Sequence, residues 1–225
     1  MNASPPALQI DIVSDVVCPW CYIGKRHVEQ AITQWRTAHP DSAVNIRWHP
    51  FQLNPDLPPG GIDRKGYLEA KFGGPQRAAE IYARVGAAGK AAGLDLNFDS
   101  IMRQPNTLAA HALIAYAQSV DQGQNADAIV ERLFRGYFID GQFIGDIEVL
   151  VAIAVECGLN AETTRAMLSE QATLNQIAAQ DANVRQQGVT GVPFFVFNQT
   201  VALSGAQPPD VLFEAMGKSL DKSTV

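Results

Sequence analysis

Leu8, Ile10 and Ile12 alternate with Gln9 and Asp11 ahead of Val13, a period-two pattern that predicts a strand with one face more deeply buried. Ser14 and Asp15 interrupt it. From Pro19 the spacing turns helical, with Trp20, Val28, Ala31, Ile32 and Trp35 at helical intervals, and His39-Pro40 ends the run because proline drives its predecessor out of the helix. Val44, Ile46 and Trp48 return to period two. Strand, helix and strand with short links make a βαβ unit, whose strands should run parallel with a right-handed crossover.

A Pro- and Gly-rich connection through Pro58-Pro59-Gly60-Gly61 follows, and helical spacing then dominates. Ile81, Val85 and Ala88 predict one helix; Leu108, Ala112, Leu113 and Tyr116 a second; Ile129, Leu133, Phe134 and Tyr137 a third. Ile147, Leu150, Val151 and Ala154 predict another, opened by Asp146 as N-cap and closed by Gly158, and Asn160 to Gln187 reads as more helix. Period two comes back at Phe194-Phe195-Val196-Phe197 and Thr200-Val201-Ala202-Leu203, joined at Asn198-Gln199 as a hairpin. Val211, Leu212, Ala215 and Met216 mark a last helix. The expected fold class is α/β, a thioredoxin-like mixed sheet with a large all-helical insertion. Residues 1–63 and 188–225 would form the thioredoxin-like domain and residues 64–187 the inserted helical domain.

At 225 residues the chain can bury a sizeable core without disulfides, and 47% hydrophobic with 18% charged residues is ordinary for a globular protein. Seventeen Lys and Arg against twenty-three Asp and Glu leave a net charge of −6, the wrong sign for a phosphate-backbone binder, so nucleic acid is excluded as the expected partner. No apolar run is long enough to span a membrane. Met1-Asn2-Ala3-Ser4-Pro5-Pro6 carries neither a basic nor a long apolar targeting segment, which predicts a short frayed start and a cytoplasmic protein.

Three cysteines make no disulfide framework, so chemistry is the better account of a close pair. In Cys18-Pro19-Trp20-Cys21 two thiols fall on nearly the same face of a first helical turn, within reach of a disulfide. Pro19 suits the first helical position, where its missing N–H costs nothing. A sulfur at that point lies near unpaired backbone N–H groups and the positive end of the helix dipole, which favour thiolate over thiol. Cys18, at the exposed helix start, is therefore the expected nucleophile, and Cys21, one turn in, the resolving thiol.

A zinc site would need further ligands from Cys157, His27, His39, His49 and His111, and these form no second pair, so no metal is expected. Cys157 continues the face of Leu150 and Ala154 and reads as a core residue. Pro193, in Gly191-Val192-Pro193 before the hairpin, is expected to carry a cis bond and to leave the Val192 backbone free to pair with a substrate.

Taken together, Ser14-Asp15-Val16-Val17-Cys18-Pro19-Trp20-Cys21, His49-Pro50-Phe51-Gln52-Leu53-Asn54-Pro55, Asn106-Thr107-Leu108-Ala109-Ala110-His111 and Gly191-Val192-Pro193-Phe194-Phe195 with Ser204-Gly205-Ala206-Gln207 resemble the DsbA-like oxidoreductases, and among them the FrnE branch. The resemblance extends over nearly the whole chain. It implies a thiol–disulfide oxidoreductase acting on a thiol or disulfide substrate, protein or small molecule, with no resident cofactor and with glutathione available as a redox partner. Two related groups, 2-hydroxychromene-2-carboxylate isomerases and kappa-class glutathione transferases, place serine at the first cysteine position. This chain keeps both cysteines, and has Ala206-Gln207 where the kappa-class enzymes share a Ser-Asp pair. A glutathione-dependent isomerase or transferase, and a non-enzymatic thioredoxin-like binding module, are the alternatives.

Trp20 is an aromatic beside the nucleophile, suited to shielding it or to meeting substrate. His49, Phe51 and Asn106 are the candidates for a pocket wall. The plainer readings are that His49 faces solvent or serves structure, that Asn106 caps a helix, and that His111, one turn beyond, packs or hydrogen-bonds within the helical layer.

Overall fold

The structure is a computed structural model and describes residues 7–120 and 125–221. The Met1 to Pro6 stretch, with its expected frayed start, lies outside the described residues. Strand β1 (Leu8–Ser14) buries Leu8, Ile10 and Ile12, while Gln9 and Asp11 point to the half-exposed face. Helix α1 (Pro19–Ala38) returns the chain to β2 (Val44–Pro50), which pairs parallel to β1 with Ile10 opposite Ile46 and Ser14 opposite Pro50. The βαβ unit is as the periodicity predicts.

The two C-terminal strands, β5 (Phe194–Phe197) and β6 (Val201–Ser204), form the hairpin. Its turn places both Asn198 and Gln199 at positive φ, 46° and 58°. Asn198 is secured there, its carboxamide oxygen accepting from the Gln9 N–H at 2.8 Å. Strand β5 joins β1 antiparallel, Ile12 opposite Phe195, so the sheet order is β2-β1-β5-β6 and β1 is central. A central strand carrying a helix directly from its C-terminal end is what brings Cys18 to the C-terminal end of β1, in the middle of the sheet.

Between β2 and β5 the chain is largely helical: α2 (Arg64–Phe72), α3 (Pro75–Ala91), α4 (Leu108–Ser119), α5 (Ala126–Phe138), α6 (Ile147–Glu156), α7 (Ala161–Ser169) and α8 (Gln171–Gln186). Two-residue strands β3 (Ile62–Asp63) and β4 (Arg103–Gln104) pair antiparallel just before α2 and α4. Periodicity missed α2 and both short strands. Its end signals were nonetheless present, for the Asp63 carboxylate accepts from the Gly66 N–H at 2.6 Å and Gly73 closes the helix at φ 79°. The stretch from Asn160 divides into α7 and α8 at Glu170.

One hydrophobic core runs from the sheet into the helices, including Ile10, Ile12, Tyr22, Ile32, Phe134, Leu150 and Phe195. Helix α9 (Pro209–Asp221) packs against α1, with the Trp35 and Phe213 rings 5.6 Å apart. On the other flank of α1 the Tyr22 ring stacks on Phe134 of α5 at 4.8 Å. Beside that stack Lys25, 2% exposed, lies 3.2 Å from both Asp127 and Glu131, so its buried charge meets counter-charges that reach solvent. These contacts fix α1, and hence its first turn, from two sides.

Candidate active site

Cys18 is the N-cap of α1, extended at φ −94° and ψ 110°, with Pro19 the first helical residue. Its N–H donates to the Asp15 carbonyl at 3.0 Å, and its own carbonyl accepts from the Cys21 N–H at 3.0 Å. Both cysteines are free thiols. The Cys18 thiol faces the Val192 carbonyl oxygen at 3.7 Å, so the loop before β5 closes over the sulfur from the far end of the chain. The Val192-Pro193 bond is cis, as the sequence led us to expect.

One expectation needs correcting. Cys18 was expected at an exposed helix start, but it is 5% exposed against 2% for Cys21, so both thiols are buried. The cause is the roof: a cavity of about 290 Å³ over Cys18 is walled by Pro19, Trp20, Leu53, Asn54, Tyr67, Lys71, Tyr82 and Val192. Trp20 keeps the aromatic face that was anticipated, at 43% exposed. Burial, with Cys18 adding to it, pushes the Cys21 thiol well above its ordinary range, while a backbone contact from Asp15 opposes this. Cys21 is thus a protonated thiol in waiting at neutral pH.

The loop after β2 is held by side chains from four directions. The buried Asp15 carboxylate accepts from the Leu53 N–H at 2.7 Å, and Asp181 of α8 accepts from the Gln52 N–H at 2.8 Å. The Asn106 amide donates to the Leu57 carbonyl at 2.7 Å and the Pro55 carbonyl at 3.2 Å, while its oxygen accepts from the Leu108 N–H at 2.9 Å. Tyr67 donates to Asn54 at 2.6 Å and accepts from Lys71 at 2.8 Å. Backbone that would otherwise be a loose Pro-rich loop becomes a fixed wall.

Three residues expected to line the pocket do not reach it. The His49 ring nitrogen Nε2 sits 2.7 Å from Asp11, its diagonal neighbour on the paired strand. Phe51, 2% exposed, belongs to a small cluster with Val13, Val184 and Val189, beneath the guanidinium of Arg185 at 4.0 Å. Asn106 spends its hydrogen bonds on the cap and the loop. His111, expected within the helical layer, instead places Nε2 3.3 Å from the Asp15 carboxylate at the end of β1. Cys157, expected in the core, is half-buried at the end of α6 and packs against the core's margin, with its thiol raised by burial and by Glu156. Among the described residues no group of three His, Cys, Asp or Glu side chains is placed to hold a metal ion.

Gly24 is a site residue that sequence reasoning passed over. A Cβ there would stand 3.0 Å from Pro193 Cγ and 3.2 Å from Phe195 Cζ, so α1 and the Val192-Pro193 loop touch only because this position has no side chain. Gly24→Val should displace Pro193, lower stability by about 1–3 kcal/mol and slow disulfide exchange. Unchanged unfolding midpoint and exchange rate would refute that contact.

Two thiols one turn apart at the start of a helix, presented by the central strand of a thioredoxin-like sheet, define the class of disulfide oxidoreductases. The chain belongs to the DsbA-like thioredoxin domain family, which it matches over residues 9–217. A probable DsbA oxidoreductase from Streptomyces coelicolor has the same fold, with a TM-score of 0.84 at 31% identity over 97% of this chain and 92% of its own. The Bacillus subtilis protein YwbO is 27% identical over 217 residues, 96% of this chain and 98% of its own length. The cytosolic disulfide reductase DsbM from Pseudomonas aeruginosa shares the fold at 18% identity and a TM-score of 0.64, covering 95% of this chain and 99% of its own. No helix among the described residues is long and apolar enough to cross a membrane.

Proposed function

We propose that this DsbA-like oxidoreductase exchanges disulfides through Cys18 as nucleophile and Cys21 as resolving thiol, with Val192 and Pro193 lining the substrate position. The observation that carries this reading is the Cys18 sulfur at the N-cap of α1, facing the Val192 carbonyl at 3.7 Å and opening on a walled cavity. The Cys18 thiolate attacks one sulfur of a substrate disulfide; a Cys18–substrate disulfide forms, and the second substrate sulfur leaves as thiolate and takes up a proton. Cys21 then loses its proton and attacks the Cys18 sulfur, expelling the first substrate sulfur. The protein dithiol is oxidised by two electrons and the substrate disulfide is reduced; the reverse sequence delivers a disulfide.

Residues 1–63 and 188–225 would carry this chemistry and residues 64–187 would shape access to it, since α2 and α3 supply Tyr67, Lys71 and Tyr82 to the cavity wall. Glutathione as redox partner is supported by a cavity with room for a small thiol and with Lys71 in its wall to meet a carboxylate. DsbM, which shares the fold, has been solved with glutathione. Its description as cytosolic accords with a cytoplasmic setting for this chain, where a reduced thiol pool would supply electrons.

The test adds oxidised glutathione to the fully reduced protein and follows intact mass. The unmutated chain should pass to a Cys18–Cys21 disulfide without a persistent adduct, because a tethered thiol one turn away resolves the mixed disulfide faster than it accumulates. Cys21→Ser should retain one glutathione. A lasting adduct on the unmutated protein with no internal disulfide would replace this reading by a glutathione-dependent isomerase or transferase, and no reaction at all would favour a binding module.

A further inference from the structure

Arg64, the first residue of α2, is 5% exposed, and its Nε has no hydrogen-bond partner. Among the described residues no carboxylate forms an ion pair with it. Its guanidinium stacks on the Tyr82 ring at 4.8 Å and the Phe98 ring at 5.8 Å, and Tyr82 and Phe98 meet edge to face at 4.6 Å. The Tyr137 hydroxyl is a polar neighbour of the guanidinium and already donates to Gln104 at 3.0 Å. A guanidinium offers more donors than one neutral oxygen can accept, and burying its charge without an anion is costly.

The same arginine lines a cavity of about 440 Å³ between α2, α3 and the segment at Phe98–Met102, separate from the one over Cys18. Its walls are mainly apolar: Leu68, Pro75, Ala78, Ala79, Phe98 and Ile101. Asp63, Lys65, Glu69 and Asp99 also border it. That combination selects a ligand. The planar fork of Arg64 matches a carboxylate, the rings and aliphatic walls match an aromatic or branched apolar body, and the bordering carboxylates repel a doubly charged group such as phosphate about twice as strongly as a singly charged acid.

We propose that this cavity binds a small apolar organic carboxylate, its acid group on Arg64. The site does not depend on the redox reading, although Leu68 and Tyr82 line both cavities and would set the bound body against the wall of the Cys18 site.

The experiment titrates reduced full-length protein with 2-naphthoate and with the neutral 2-naphthamide by calorimetry. The unmutated protein should bind the acid about ten-fold or more tighter than the amide, Arg64→Gln should bind both at the level of the amide, and Lys71→Gln should change neither. Equal binding of acid and amide by the unmutated protein overturns the proposal, as does loss of acid binding in Lys71→Gln, which would move the anion to the Cys18 cavity. If Arg64→Gln does not fold, Ala79→Trp on the exposed face of α3 carries the test. Filling the cavity should abolish binding of the acid, and unchanged affinity overturns the site.

Discussion

Cys18→Ser should reduce disulfide exchange to the background rate of the thiol and disulfide in buffer, and abolish rapid alkylation at neutral pH, while Cys157→Ser leaves both nearly intact. The contrast follows from where the sulfurs lie. Cys18 stands at the N-terminus of α1, beside backbone N–H groups that no helical carbonyl can satisfy, and it opens on the walled cavity. A hydroxyl in its place has no accessible anionic form at neutral pH and cannot form the mixed disulfide. Cys157 closes α6 against the core, and burial together with Glu156 raises its thiol, so it holds less thiolate than a free cysteine. The check is exchange with oxidised glutathione in parallel with timed iodoacetamide labelling read by peptide mass. Equal losses in the two variants would mean that the redox pair has been misassigned.

Asp15→Ala should cost about 3–5 kcal/mol of stability, lowering the midpoint of thermal unfolding by roughly 10 °C. Asp15 is 1% exposed, and its carboxylate carries two partners: the buried His111 Nε2 at 3.3 Å and the part-buried Leu53 N–H at 2.7 Å. Alanine would leave both without this acceptor, His111 in a buried site where that costs more than the hydrogen bond gained on folding. The same residue holds the Cys18 N–H through its carbonyl and a cavity wall through Leu53, so exchange should slow as well. Asp15→Asn retains an acceptor for Leu53 and should lose less. In a double-mutant cycle His111→Ala and Asp15→Ala should be less than additive, because each orphans the other. Strict additivity would show that the pair does not interact.

The strands β1 and β2, the helix α1 between them, the terminal hairpin and most inserted helices were legible in the residues, and so was the CPWC pair at a helix start. Each is a local matter: period two or 3.6 reports which face of an element is buried, and Asp146, Gly158 and Asn198 mark ends and turns by their own backbone preferences. Helix α2 escaped because Gly66 and the Pro-rich approach diluted its periodicity, although Asp63 and Gly73 marked its ends. The site's surroundings were not legible for a different reason. Alternation says that His49 leaves one face of β2, but only the pairing register sets Asp11 diagonally beside it. Likewise nothing local to Asn106 or His111 names Leu57 or Asp15 as its partner across the fold. The place of Cys18 at a helix start was legible from its own helix, whereas its burial depends on Tyr67, Tyr82 and Val192, which arrive from distant segments. The sequence by itself therefore determined the elements, the topology they imply and the close cysteine pair, since these rest on backbone geometry and hydrophobic period. The tertiary structure alone decided what covers the sulfur and which polar groups meet, since long-range contact depends on how layers pack and not on any pattern along the chain.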